Sequence, residues 1–391
     1  MISKLNRGWA DLQWINGAPS NGKRFALLIP QYNEASNTEL QKRLNYFRQL
    51  SERYSNEMDV IIIDDGSTDN SLQQIEAFIN CYPKAFFVAS VYPNAEKVGA
   101  LFLAILNIDH EFVILSDFDT DLVGLHQLLN DPDALNKDPL LMGCYFRMVP
   151  FEGKGRVFLF QQLEYSFARA YYRFHKRESS VPVMPGAGSC YKREVLLQVY
   201  YQHSGLRNGE DRETTLIGLG MGYKSVYKED VGALTRPPLS FRALINQRRR
   251  WYLGYIETFA KERKCYMSQM YRLNRLGLRT LQDVIGVILL LLLPFELIVL
   301  FLINYQVMLN VVAGAYLLSV TYYLSLLLIA PVEVSEIKRS KLSLILLYPL
   351  FWLIVAYWAW LSAFRVYNRK KAVDKKSDEK TILRKSKPAL K

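Results

Sequence analysis

Four short apolar runs punctuate the first third of the chain, at residues 25–30, 60–64, 85–90 and 112–117, and longer polar stretches with helical periodicity, such as 37–56 and 95–108, separate them. Apolar strands alternating with helices predict βαβ units and a parallel sheet covered on both faces. Residues 139–235 are less regular. They hold an amphipathic helix candidate at 157–175, the glycine-rich turn Gly186-Ala187-Gly188-Ser189, and a second helix opening at Asp211. Residues 239–277 mix Arg, Lys and aromatics at helical spacing, which suits amphipathic helices lying in a membrane interface. Three almost purely apolar runs follow, 284–304, 307–330 and 342–364, each at or above the ~20 residues a helix needs to cross a bilayer. The expected organisation is an α/β domain over 1–238, interfacial helices over 239–278, a membrane region of about three segments over 279–364, and a tail over 365–391.

Composition sharpens the membrane reading. The formal charge of +12 on 391 residues is concentrated near the membrane. Residues 365–391 carry 11 Lys/Arg against 3 Asp/Glu, which predicts a solvated, disordered cytosolic tail. Because that charge abuts an apolar run, anionic lipid headgroups are the expected partner and nucleic acid is not. Three full crossings from a cytosolic domain would put the tail outside, against the positive-inside rule. Pro294 and Glu296 stand near the middle of the first run, and a mid-membrane carboxylate is costly unless it faces protein or water. One resolution is that 279–304 is kinked, re-entrant or packed within the bundle. The N-terminal residues lack an apolar core of signal-peptide type, so residues 1–278 are expected in the cytosol of an integral membrane protein. Cys81, Cys144, Cys190 and Cys265 are scattered with no Cys-x-x-Cys pair, which fits a reducing compartment and no zinc site. The four histidines receive no role.

The candidate chemistry lies where the apolar runs end. Gln31-Tyr32-Asn33-Glu34, Asp64-Asp65-Gly66-Ser67 and Asp117-Phe118-Asp119 each follow a predicted strand, and ligands of such sheets bind beyond the carboxyl ends of the strands. Asp117 and Asp119 are hard oxygen ligands suited to Mg2+ or Mn2+, which would neutralise a leaving diphosphate. A carboxylate at Asp65 can accept from the imide N–H of a uracil ring, while Ser67 or Asp69 is placed to cap the following helix. Lys97 offers a point charge for a diphosphate. Asp211, in Gly209-Glu210-Asp211-Arg212, is the candidate general base for transfer to a hydroxyl; Glu210 adjoins it and points elsewhere. In Gln247-x-x-Arg250-Trp251, Arg250 can clamp diphosphate oxygens, the indole can stack on a sugar ring, and Gln247 can bond sugar hydroxyls. The competing reading is a basic interfacial helix with a tryptophan anchor.

Taken in order, these motifs over residues 24–256 resemble the membrane-embedded, processive family 2 glycosyltransferases, the group of cellulose, chitin and hyaluronan synthases. The resemblance implies a GT-A (Rossmann-like) cytosolic domain and inverting transfer from a UDP-sugar to a growing β-linked polysaccharide. By motif position it implies Asp211 as base and Asp117 with Asp119 as metal ligands. It further implies that Tyr32, Glu34, Asp64, Asp65, Lys97, Asp117, Glu210, Gln247, Arg250 and Trp251 bind the nucleotide sugar or acceptor. Conservative changes at Arg248, outside the motif, are expected to matter little. Alternatives are transfer of one sugar to a lipid acceptor and a silent sugar-nucleotide-binding subunit. With about three membrane segments and no earlier span, a polymer channel is expected to need a second copy or a partner subunit. Tyr322, Tyr323, Trp352, Trp358 and Trp360 are candidates for a stacking path outward; otherwise they form interfacial belts, an account that leaves Trp352, deep in its run, unexplained.

Overall fold

The structure is a computed structural model that describes residues 10–20, 22–36, 38–176, 178–205, 208–329 and 339–385, with side chains at 339–342 and 372–385 left out of the description. The chain opens with β1 (Asp11–Trp14), β2 (Phe25–Gln31), α1 (Leu40–Arg53), β3 (Met58–Asp64), α2 (Ser71–Cys81), β4 (Phe87–Tyr92), α3 (Glu96–Leu106) and β5 (Phe112–Leu115). It continues through β6 (Asp121–Val123), α4 (His126–Leu129), β7 (Leu141–Pro150), α5 (Arg156–Lys176), β8 (Ser189–Lys192), α6 (Arg193–Gln202), α7 (Glu210–Gly220) and β9 (Lys224–Thr235). Five helices complete it: α8 (Phe241–Lys261), α9 (Arg263–Arg272), α10 (Arg275–Ile303), α11 (Tyr305–Ile329) and α12 (Tyr348–Lys385).

All nine strands form one sheet in the order β1-β4-β3-β2-β5-β8-β7-β9-β6. The four strands read from the apolar runs pair in parallel as expected. The sheet as a whole is mixed rather than parallel, because β1, β8 and β6 each pair antiparallel with a neighbour. Alternation within the buried strands divides the core. Leu27, Ile29, Val60 and Ile62 face Leu44, Phe47 and Phe78 of α1 and α2. Ala26, Leu28, Ile61 and Ile63 face Leu101 and Ile105 of α3 and Leu196 of α6. Both faces are therefore covered, which is why these strands read as continuous apolar runs. Chain order reverses between β2 and β5, so their carboxyl ends open a crevice.

Helices α10, α11 and the first two-thirds of α12 are long and apolar enough to cross a membrane. Residues 275–303 form one helix that continues through Pro294, with Glu296 exposed on its surface. One expectation is corrected: the disorder expected from residue 365 is replaced by the continuation of α12 to Lys385, in a sequence rich in Lys and Arg, which are good helix formers; residues 386–391 lie outside the described residues.

Helix α5 has two partnered faces. Phe160 stacks on Phe351 of α12 with centroids 4.2 Å apart, Phe167 lies 4.9 Å from Tyr323 of α11, and the Tyr171 hydroxyl meets that of Tyr322. The other face, with Glu164, Tyr165, Ala168 and Tyr172, lines a cleft of the α/β domain.

Candidate active site

Two clefts open at the carboxyl end of the sheet and share Asp117, Asp119 and Glu210. The first, of ≈ 630 Å³, is walled by Tyr32, Glu34, Asp65, Lys97 and the Asp117–Asp119 loop. The second, of ≈ 510 Å³, is walled by Asp211, Gln247, Arg250, Trp251 and the inner face of α5. Of the residues assigned by motif to the base, the metal or the nucleotide sugar and acceptor, only Asp64 lines neither cleft. Its carboxylate is buried, taking the side-chain amide of Gln31 and the backbone N–H of Ser67 at 3.2 Å, so it ties the ends of β2 and β3 together.

Asp65 is 4% exposed and already engaged, accepting from Ala95 N at 2.7 Å and Asn94 Nδ2 at 3.0 Å. Burial pushes its pKa up to about 7. Neither Ser67 nor Asp69 is the N-cap of α2; Ser67 Oγ takes Asn33 N–H, and Asp69 takes the amides of Ser71 and Ala35. Tyr32 stands exposed at the rim of the first cleft.

Lys97 sits at the acidic junction, with Nζ 2.7 Å from Asp117 Oδ1 and 3.7 Å from Glu210 Oε1. Burial works against its ammonium, and the charges of Asp117, Asp211 and Glu210 overcome it, holding the pKa well above the usual lysine range. Asp119 keeps solvent access within the cleft; desolvation there and the Asp117 charge raise its pKa.

Asp211 enters from the first turn of α7, where its Oδ2 accepts from Gly186 N at 2.9 Å. The glycine is required, because a Cβ at residue 186 would collide with the Asp211 carboxylate. Burial pushes the Asp211 pKa up to about 7; Lys97 opposes the rise, and Glu210 and Asp117 add to it. A carboxyl poised near neutrality and facing an open cleft is suited to general base work. Glu210, next in line, turns toward Lys97 instead, as neighbouring positions at a helix start require. Behind the turn, the buried Glu213 takes Ser204 N and Oγ at 3.0 and 2.6 Å, and so fixes the segment leading into α7.

The second cleft is built on α8. Gln247 is half-buried, Arg250 exposed, and Trp251 47% exposed. Arg248, outside the motif, is 3% exposed, donates to Glu164 Oε2 at 2.8 Å, and lays its guanidinium 3.8 Å from the Trp251 ring centroid. Tyr322 and Tyr323 pack on α5, and Trp360 stacks on Tyr252 of α8 at 4.3 Å.

Sequence reasoning missed the clamp beneath the Asp117–Asp119 loop. Buried Arg43 donates to the carbonyls of Phe118 and Thr120, each at 2.7 Å, and pairs with Asp121. Arg236 donates to the carbonyl of Asp119 at 2.6 Å and to Asp121 Oδ2 at 3.2 Å. The third acid of Asp117-Phe118-Asp119-Thr120-Asp121 was the available signal. Asp121 faces away from the clefts and holds the loop between two guanidinium groups.

The Glycosyl transferase family 2 model matches residues 26–199, and that of Glycosyl transferase family group 2 matches residues 140–364, more than half of the chain. The chain belongs to glycosyl transferase family group 2. Curated relatives of this glycosyltransferase include an N-acetylglucosaminyltransferase of Sinorhizobium fredii, 25% identical over 252 residues, which are 60% of this chain and 57% of that protein. Another, from Mesorhizobium japonicum, is 26% identical over 255 residues, with the same coverage. The chain thus aligns with under three-fifths of their length. Among solved structures, the mannosyltransferase PcManGT from Pyrobaculum calidifontis, in complex with GDP-Man and Mn2+, gives a TM-score of 0.49 at 18% identity, covering 90% of this chain and 89% of that one. S. aureus TarS 1-349 in complex with UDP-GlcNAc gives 0.38 at 17% identity, covering 66% and 80%.

Proposed function

We propose that this family 2 glycosyltransferase moves N-acetylglucosamine from UDP-N-acetylglucosamine to a hydroxyl of a growing β-linked polysaccharide, with inversion. The observation that carries the reading is the meeting of the two clefts at Asp117, Asp119 and Glu210, with Asp211 beside the junction and its pKa near 7. The names of the curated relatives support the choice of sugar.

The donor occupies the first cleft, its uracil between Tyr32 and Asp65 and its diphosphate directed toward Lys97. The acceptor sugar lies in the second cleft against Trp251, with Gln247 bonding its hydroxyls. Asp211 takes the proton as the acceptor oxygen attacks the anomeric carbon from the face opposite the diphosphate, so an α-linked donor gives a β-linked product. Lys97 and Arg250 receive the negative charge that builds on the departing UDP.

Asp117 and Asp119 fit a divalent cation: both open to the junction, and the Asp117 charge raises the cost of charge on Asp119. Among the described residues no group of three or more His, Cys, Asp or Glu side chains could hold a metal, so this pair would share a Mg2+ or Mn2+ ion with oxygens of the diphosphate and water. When bound, the cation supplies countercharge to the leaving group.

The test is to incubate membranes bearing the full chain with radiolabelled UDP-N-acetylglucosamine and other UDP-sugars, with and without EDTA. Polymer formed from UDP-N-acetylglucosamine, lost with EDTA and restored by Mg2+ or Mn2+, is expected. A single sugar on a lipid would replace the polymer acceptor, and no product from any UDP-sugar would remove the reading.

A further inference from the structure

Three helices have the length and apolarity of membrane spans, but they do not leave the α/β domain in the same way. Helix α10 touches that domain along its first half, from Arg275, whose N–H donates to Glu178 at 3.0 Å, to the buried Leu290, which packs with Leu253 and Ile256 of α8, and its far half is exposed. Helix α11 returns, with the Ile329 carbonyl accepting from Arg173 of α5 at 2.7 Å. These two form a hairpin whose tip, at Asn304, lies away from the domain.

Helix α12 meets the domain at both ends. Near its start, Tyr348 lies 4.9 Å from Phe167 of α5, and Phe351 lies 4.2 Å from Phe160 of α5 and 6.1 Å from Phe241 of α8. Nineteen residues on, Lys370 Nζ pairs with the buried Glu257 of α8 at 2.8 Å. Between them Ala356, Ala359 and Ala363 are wholly buried, and Trp360 stacks on Tyr252. Residues 351–370 extend about 28 Å at 1.5 Å per residue, close to the ~30 Å hydrocarbon thickness. A crossing helix would carry its far end that distance from the domain. This one instead runs alongside α8, which carries Arg242, Arg248, Arg249 and Arg250 and lines the active-site cleft, so α8 cannot lie in the hydrocarbon.

We infer that α12 does not cross the membrane: it lies in the bilayer interface on the catalytic side, clamped along α8. Its exposed face, with Leu350, Ile354 and Trp358, rests in the headgroup and acyl boundary. The composition agrees. Eight of the twenty residues 348–367 are aromatic, and Trp and Tyr favour the interface. They run the length of the helix instead of forming two end belts, so Trp352 is interfacial like the others. Among the described helices α10 and α11 are then the candidate spans, and the basic stretch beyond Arg365 remains on the catalytic side, in accord with the positive-inside rule.

Single cysteines at Leu347 and Asn368, exposed positions at the two ends of this segment, test the placement in the full chain, with the exposed native Cys81 as catalytic-side marker. A membrane-impermeant maleimide, located by peptide mapping, should label neither position nor Cys81 in intact cells, and all three in opened membranes. Labelling of either end in intact cells would overturn the inference, as would failure of either to label in opened membranes. A fluorophore on Trp358→Cys in vesicles should be quenched more by a nitroxide near the headgroup than by one deep in the acyl chain; the reverse order would also overturn it.

Discussion

At the scale of single residues, the junction of the two clefts concentrates charge whose balance sets the chemistry. Asp211→Asn keeps the shape and removes the base, so transfer should fall by about 10²–10⁴-fold, while UDP affinity measured calorimetrically stays within a few-fold. Retained turnover would take Asp211 out of the mechanism. The acid limb of kcat/KM should lie near pH 7, because Asp211 acts deprotonated and its pKa is raised to about 7. Lys97 holds that value down, so Lys97→Met should move the limb to higher pH; a pH–rate profile of the two proteins decides it. Arg248, by contrast, acts through Trp251. Arg248→Met removes both the ion pair to Glu164 and the guanidinium behind the indole. A cation–π contact contributes roughly 0.5–2 kcal/mol, so the acceptor KM should rise about tenfold with donor KM little changed. If donor and acceptor KM rise together, Arg248 is holding the whole cleft.

At the scale of elements, α7 and α8 meet in backbone contact. Gly209, with φ of +75°, opens α7, and a Cβ on Gly254 of α8 would come within 2.5 Å of the Gly209 nitrogen. The helix bearing Asp211 and the helix bearing Gln247, Arg250 and Trp251 are thus registered by two glycines. Gly254→Ala should lower the melting temperature by an amount matching about 1–3 kcal/mol of overpacking and depress kcat. A stable protein with unchanged kcat would show that the registration is loose. The elements that sequence revealed, β2 to β5 and the three apolar helices, are those whose pattern is uniform along their length. The mixed half was obscure because β7 and β9 interleave polar residues such as Arg147, Lys228 and Glu229 with the apolar ones. Likewise, Asp211, Lys97 and Trp251 were legible as motif residues. The contacts of Arg248 with Glu164, 84 positions away, and of Arg43 with Asp121, 78 away, exist only once the chain has folded.

At the scale of the whole molecule, α5 stands between the second cleft and the apolar helices. One face supplies Glu164 and Tyr165 to that cleft, and the other receives α11 and α12. Such a helix is constrained twice over by natural variation. A change suiting its outer face to a thicker or thinner membrane displaces the wall against which the acceptor rests, and a change that reshapes the acceptor cleft loosens the hold on the membrane hairpin. On the proposed reading, drift at Phe160, Leu163 or Phe167 is therefore felt in product as well as in stability. A lineage that carried this transferase into a membrane of different thickness would then inherit a different acceptor cleft along with it.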